Sequence, residues 1–110
     1  MQVHVTTKND ILVLSFEGSL DTGTASFAEA EINKHINAHS KVIFNLDQTK
    51  FVSSAGLRVF LATAKKMLAL GGALKICNAN EVVTEILDMS GFSSIMDVQP
   101  DLDAALAAFA

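Results

Sequence analysis

The 110 residues suffice for one folded domain, residues 1–110, and are too few for two. Half of them are hydrophobic and 18% are charged, which excludes a disordered chain. A formal net charge of -4 with no basic cluster excludes nucleic acid and an anionic membrane surface as partners, since either requires a positive patch.

The chain opens Met1-Gln2-Val3-His4-Val5 with no basic region before an apolar run, and no stretch reaches the length of a membrane span. A cytoplasmic protein without direct membrane insertion is expected. Cys77 is the sole cysteine, so no intramolecular disulfide forms, and it reads as a small buried apolar residue.

Gln2 to Thr7 alternates Val3 and Val5 with polar neighbours, which predicts an edge strand with one wet face. Lys8-Asn9-Asp10 is a break short enough for a hairpin, and Ile11 to Glu17 predicts a second, more buried strand. Gly18 to Thr24 reads as a turn rich in cap residues. A helix from about Thr24 to Ala38 follows, with Ala25, Ala28, Ile32 and Ile36 at helical spacing. Val42 to Leu46 is a short β-branched and aromatic run, as expected of a central strand covered on both faces.

After the serine pair Ser53-Ser54, the spacing predicts a helix carrying Leu57, Phe60, Leu61, Ala64 and Leu68 on one stripe, stopped by Gly71-Gly72. Ala73 to Cys77 is a fourth strand. Asn80 caps a helix carrying Val83, Ile86 and Leu87, and Gly91 closes it. A weak fifth strand falls around Ile95 to Val98, and Pro100-Asp101 starts a last helix with Leu102, Ala105, Leu106 and Phe109. Met67, Met89 and Met96 read as core filling, as do Phe16, Phe44, Phe60 and Phe92. The order predicts an α/β domain with a mixed, mostly parallel sheet of about four or five strands and about four helices, its first strand joined by a hairpin.

Asp47 to Leu61 turns an apolar strand into an amphipathic helix and sets Ser53 and Ser54 at the turn. A helix starting at Ser54 leaves its first N–H groups unpaired at the positive end of its dipole. A hydroxyl there either caps the helix or marks a place that welcomes an anion. Ala55 and Gly56 follow where a plain cap favours acidic residues, so both hydroxyls stay sterically open.

Read as Asp-x-x-x-Phe-Val-Ser-Ser-Ala-Gly-Leu-Arg, this stretch resembles the signature of the STAS-domain anti-sigma factor antagonists. Gly18-Ser19-Leu20-Asp21 is similar to that family's Gly-x-Leu-Asp turn, Gly71-Gly72-Ala73-Leu74 to its glycine turn, and Leu87 to Phe92 to its late helix end. The resemblance covers essentially the whole chain and implies a STAS-like domain that binds rather than catalyses. It implies that the unphosphorylated protein sequesters a serine kinase that is also an anti-sigma factor, and so releases a sigma factor. Phosphorylation by that kinase ends the binding, and a PP2C-type phosphatase restores it.

The resemblance places the phosphorylated serine on Ser54, with Ser53 as the rival site. Ser53 stands where sporulation-type members carry aspartate, and Arg58 where they carry glycine. The partner-binding surface it implies comprises Phe51, Ser53, Ser54, Ala55, Gly56, Arg58 and Val59, with Asp21 near the serine. On its own chemistry Asp21 reads equally as a turn or capping residue. A second role that the resemblance allows is a STAS accessory or scaffold subunit of a stress-signalling or membrane transporter complex.

Other chemistries lack their residues. A phosphoacceptor role for Asp47 requires an acidic pair on an early strand and a lysine after a later one to hold magnesium, and neither is in place. Asp47 reads instead as a turn residue supporting the serine loop. His4, His35 and His39 have no carboxylate or cysteine at ligand spacing, so no metal or cofactor is expected. No histidine follows His39, which leaves Ser54 without a catalytic triad.

Overall fold

In the computed structural model, which describes residues 1–109, Asn9 and Asp10 both hold positive φ, 53° and 66°. This is the two-residue hairpin turn whose twist matches that of the flanking strands, and Asn and Asp tolerate it. It folds β1 (Gln2–Lys8) antiparallel onto β2 (Ile11–Leu20), pairing Lys8 with Ile11 and Gln2 with Glu17. The remaining strands are β3 (Lys41–Asn45), β4 (Thr49–Val52), β5 (Ala73–Cys77) and β6 (Asp97–Gln99). They pair in parallel in the order β1-β2-β3-β5-β6, and β4 lies along the far end of β2. The helices are α1 (Ala25–His35), α2 (Ser54–Ala69), α3 (Glu81–Met89), α4 (Phe92–Ile95) and α5 (Leu102–Ala107), with a 3-10 turn over Ile36–Ala38.

The alternation of β2 and β3 decides which helices cover which face. Leu12, Leu14 and Phe16 of β2 and Val42 and Phe44 of β3 face one side, where they pack with Ala28 and Ile32 of α1, Phe60 and Met67 of α2, and Val83 and Leu87 of α3. Phe44 is the centre of this layer: its ring meets Phe16 edge-on at 4.9 Å and Phe60 at 5.3 Å. Ile11, Val13, Ile43 and Cys77 point to the other face, which α5 covers with Ala105, Leu102 and Leu106. The Cys77 thiol is pushed up to about 12, first by burial and then by the nearby charges of Asp101 and Asp47. It stays a neutral, unreactive core group. At the β5–β6 margin the Lys75 ammonium, which also lies 4.7 Å from the Phe109 ring centre, bonds to Asp97 and holds that carboxyl below its ordinary range.

The sheet has six strands rather than four or five. The added strand is β4, and β2 runs three residues past Glu17, through the stretch expected to be a turn, in order to pair with it. A bulge between Gly18 and Ser19, with Gly18 at φ 111°, re-aims β2 toward this short partner. The last strand lies at Asp97–Gln99 because Phe92–Ile95 closes into a single helical turn, α4, which brings the helices to five rather than four. The buried stripe of α2 is rotated from the expected one: it runs through Gly56, Phe60, Thr63 and Met67, and Leu68 is 71% exposed. The missing side chain at Gly56 lets the start of α2 sit close against the end of β2. Met89 is not core; it is 86% exposed at the end of α3.

Truncating the ring at the centre of the larger layer, Phe44→Ala, is expected to cost about 3–5 kcal/mol by the sum of lost transfer and cavity terms. Urea denaturation of the two proteins measures it.

Candidate functional site

The turn from β4 into α2 is held by one carbonyl. Leu20, the last residue of β2, accepts the backbone N–H of Ser53 at 2.8 Å. Gly56 then brings the first turn of α2 down onto the same place: a Cβ there would lie 2.7 Å from the Leu20 oxygen and 2.8 Å from Val52 Cγ1. Only glycine fits without movement of the backbone. Thr49 anchors the other side of β4 through its hydroxyl, which donates to the Phe16 carbonyl at 2.7 Å. Asn80 clamps the strand from outside, its Nδ2 donating to the carbonyls of Thr49 at 3.1 Å and Lys50 at 3.2 Å. Asn80 also caps α3, where Oδ1 accepts the Val83 N–H at 2.8 Å.

The two serines differ in kind. Ser53 occupies the N-cap position, with φ -87° and ψ 179°, and its carbonyl accepts the Leu57 N–H at 2.9 Å. Its hydroxyl makes no capping bond; Oγ is buried and has no hydrogen-bond partner. The helix starts at Ser54, as expected, so the cap position falls to Ser53, and Ser54 is exposed. The first-turn N–H groups of α2 have no intrahelical acceptor, and the first turn itself carries no acidic residue.

Beside Ser54 lies an apolar groove of about 470 Å³, walled by Phe51, Leu57, Ile86 and Met89. It runs between the start of α2 and the end of α3. Phe51 is 42% exposed at its rim. Ile86 and Met89 were not among the residues expected at the site. They carry a sequence signal: Val82, Ile86 and Met89 recur at i, i+4 and i+7, a second apolar line alongside Val83 and Leu87.

The remaining expected residues fall into three groups. Ala55 and the exposed Arg58 line a smaller hollow between α1 and α2, together with Glu29 of α1. Gly56 and Val59 are buried, Val59 at 4% exposure, so both hold the helix in place and offer a partner little side-chain surface. Asp21 braces the turn before α1: its Oδ1 accepts the N–H groups of Gly23 at 2.9 Å and Thr24 at 3.2 Å. Being next in chain to Leu20, it lies beside the serine turn. Asp47 does not support that turn. Its N–H donates to Asn45 Oδ1 at 3.1 Å and its carboxylate accepts from Gln48, while the supporting bonds come from Thr49 and Asn80. Among the described residues no three His, Cys, Asp or Glu side chains converge as a metal site, and no helix is long and apolar enough to cross a membrane.

The sequence profile of the STAS domain matches residues 2–105. The chain belongs to the STAS domain family. It is 34% identical over 100 residues, 90% of this chain and 86% of the relative, to BtrV of Bordetella bronchiseptica, a protein described as a candidate anti-sigma factor antagonist. The crystal structure of an anti-sigma factor antagonist from Mycobacterium paratuberculosis matches the fold with a TM-score of 0.90 at 23% identity, over 97% of this chain and 92% of that one. The phosphorylated form of SpoIIAA, a Bacillus cell fate determinant, matches it with a TM-score of 0.73 at 19% identity, over 99% of this chain and 100% of that one. Both structural likenesses are likenesses of fold.

Within this STAS domain the two tight residues have opposite expected responses. Ser53→Ala removes a buried hydroxyl that bonds to nothing, so stability is expected to hold or rise by up to about 1 kcal/mol. An ordinary cap serine would lose about 1 kcal/mol instead. Gly56→Ala is expected to cost about 2 kcal/mol or more through overpacking against the Leu20 backbone. Thermal melts of both variants beside the parent protein test the pair.

Proposed function

We propose that this STAS protein is an anti-sigma factor antagonist that acts in the cytoplasm by binding rather than by catalysis. In its unphosphorylated form it sequesters a serine kinase that is also an anti-sigma factor, and so frees a sigma factor. The kinase phosphorylates Ser54 to end the complex, and a PP2C-type phosphatase restores it. The observation that carries this reading is the exposed Ser54 hydroxyl at the edge of the Phe51–Leu57–Ile86–Met89 groove. Its relatives, described as antagonists of anti-sigma factors, and the fold it shares with a phosphorylated protein of this family support the same conclusion.

Exposure favours Ser54 over Ser53. A kinase must reach the hydroxyl in line with a nucleotide's terminal phosphate, and Ser53 Oγ is shut away from solvent. A phosphoryl group brings about -1.5 to -2 charges and three acceptor oxygens. At the start of α2 it meets unpaired amides and no acidic residue in the helix's own first turn, so the fold tolerates it. The partner does not. An interface seated on the groove would have to strip water from a dianion at its margin, with no charge in the groove walls to compensate.

Two experiments test the reading. Incubation with the cognate kinase and ATP is expected to label the parent and the Ser53→Ala variant but not Ser54→Ala; labelling that followed Ser53 would overturn the assignment. In a binding titration Ser54→Ala is expected to retain parental affinity, and phosphorylated protein to lose about 2–3 kcal/mol, on the order of 30- to 100-fold. Equal affinity of the two forms would exclude a phosphorylation switch. Recovery of a transporter ATPase in place of a kinase would assign the domain to an accessory-subunit role.

A further inference from the structure

The two edges of the sheet are unlike. One is β6, only three residues long. The other is β1, seven residues without proline or bulge, whose one ordinarily charged side chain, Lys8, is at its very end. Proteins ordinarily blunt such an edge with short strands, inward charges, bulges or proline. None of these protects β1.

Its free hydrogen-bonding groups follow from the hairpin. In a two-residue hairpin the flanking residues exchange both hydrogen bonds, here Lys8 with Ile11. Alternation then turns Thr6, His4 and Gln2 inward to β2. The N–H and C=O groups of Val3, Val5 and Thr7 point outward. Val5 is the middle residue of the strand, and its side chain is 40% exposed on the sheet face that carries α1, α2 and α3.

We propose that β1 pairs with β1 of a second copy, antiparallel about a two-fold axis at Val5, to make one continuous sheet through two molecules. About that axis Val5 meets Val5 of the other copy, and Val3 meets Thr7, so all three outward-facing residues find a partner and the whole strand is used. On the opposite face Gln2 stands across from Lys8, and His4 from Thr6. Shifting the axis to His4 sets histidine against histidine; shifting it to Thr6 sets His4 against Lys8. Only the register centred on Val5 pairs the whole strand and keeps His4 away from a second histidine and from Lys8. A single added strand buries less than a standard protein interface, so the association is weak and depends on concentration. It uses no residue from Phe51 to Val59 and stands independently of the Ser54 switch.

Sedimentation equilibrium tests this directly. The average mass is expected to rise from 11.7 kDa towards twice that value as concentration approaches about 1 mM, the weak limit of specific association. A mass constant at the monomer value across that range would overturn the proposal. Val5→Pro removes an outward N–H that no intramolecular bond uses, so it is expected to leave the melting temperature unchanged and the protein monomeric. Val5→Lys, which sets two ammonium groups on the axis, is expected to do the same; either folded variant dimerising like the parent would overturn it. Register is read by cysteine pairing. Hydrogen-bonded partners sit about 5.5 Å apart at Cα, within disulfide reach. Under oxidation Val5→Cys is expected to form a linked dimer and Thr7→Cys none; equal linking of both would refute the axis at Val5. Cys77 is buried and does not compete.

Discussion

The close approach of Gly56 to the end of β2 is the constraint on which the site depends. The Leu20 carbonyl receives the Ser53 N–H on one side and abuts the first turn of α2 on the other, which is why a Cβ at residue 56 has nowhere to go. One backbone oxygen therefore sets both where β4 ends and how α2 departs. The consequences reach outward from there. With the turn pinned, Ser53 must point its side chain inward, where the hydroxyl finds no partner, and Ser54 must face solvent. The asymmetry of two adjacent, chemically identical side chains is thus a product of packing, not of any local preference.

That same packing leaves the start of α2 electrostatically unfinished. A helix of 16 residues ordinarily recruits a capping side chain or an acidic first turn, and α2 has neither. The unmodified protein forgoes about a kilocalorie per mole of available helix stabilisation. Its unpaired amides would then be free to meet the covalent anion that the proposed function places at Ser54. A phosphate placed there has its local charge met by the helix, so its disruptive effect is exported to whatever the neighbouring groove binds.

Much of the architecture was legible because it rests on local chemistry. Asn9-Asp10 declares its hairpin, Asn80 and Asp101 announce the helices they cap through bonds to Val83 and Ala104, and Val42 to Phe44 reads as the central strand it is. What escaped was set by tertiary contact. β4 is four residues long with no alternation of its own, and exists because the end of β2 bends across a bulge to meet it. The rotation of α2 that exposes Leu68 and buries Thr63 goes with the close approach at Gly56, which an apolar count along the helix does not register. At the site, the serine turn and Phe51 were visible from their residue types. The inward turn of Val59 and the inert carboxylate of Asp47 were not, because both follow from how α2 and β4 are seated.

The groove changes what kind of switch the proposed function would require. Had the site been the serine turn alone, the same few atoms would have to identify the partner and respond to the phosphate. Instead the apolar wall of Ile86 and Met89 comes from α3, a separate element tied to the site through the Asn80 clamp on β4. Contact area and charge response are supplied by different elements and are free to vary separately. On the proposed function, substitutions at Ile86 and Met89 would alter which surface fits the groove, whereas the amides of α2 would set how strongly a phosphate is felt. Under the proposed function, that division would let the partner be chosen by the exposed face of α3 while the start of α2 keeps the same response to a phosphate.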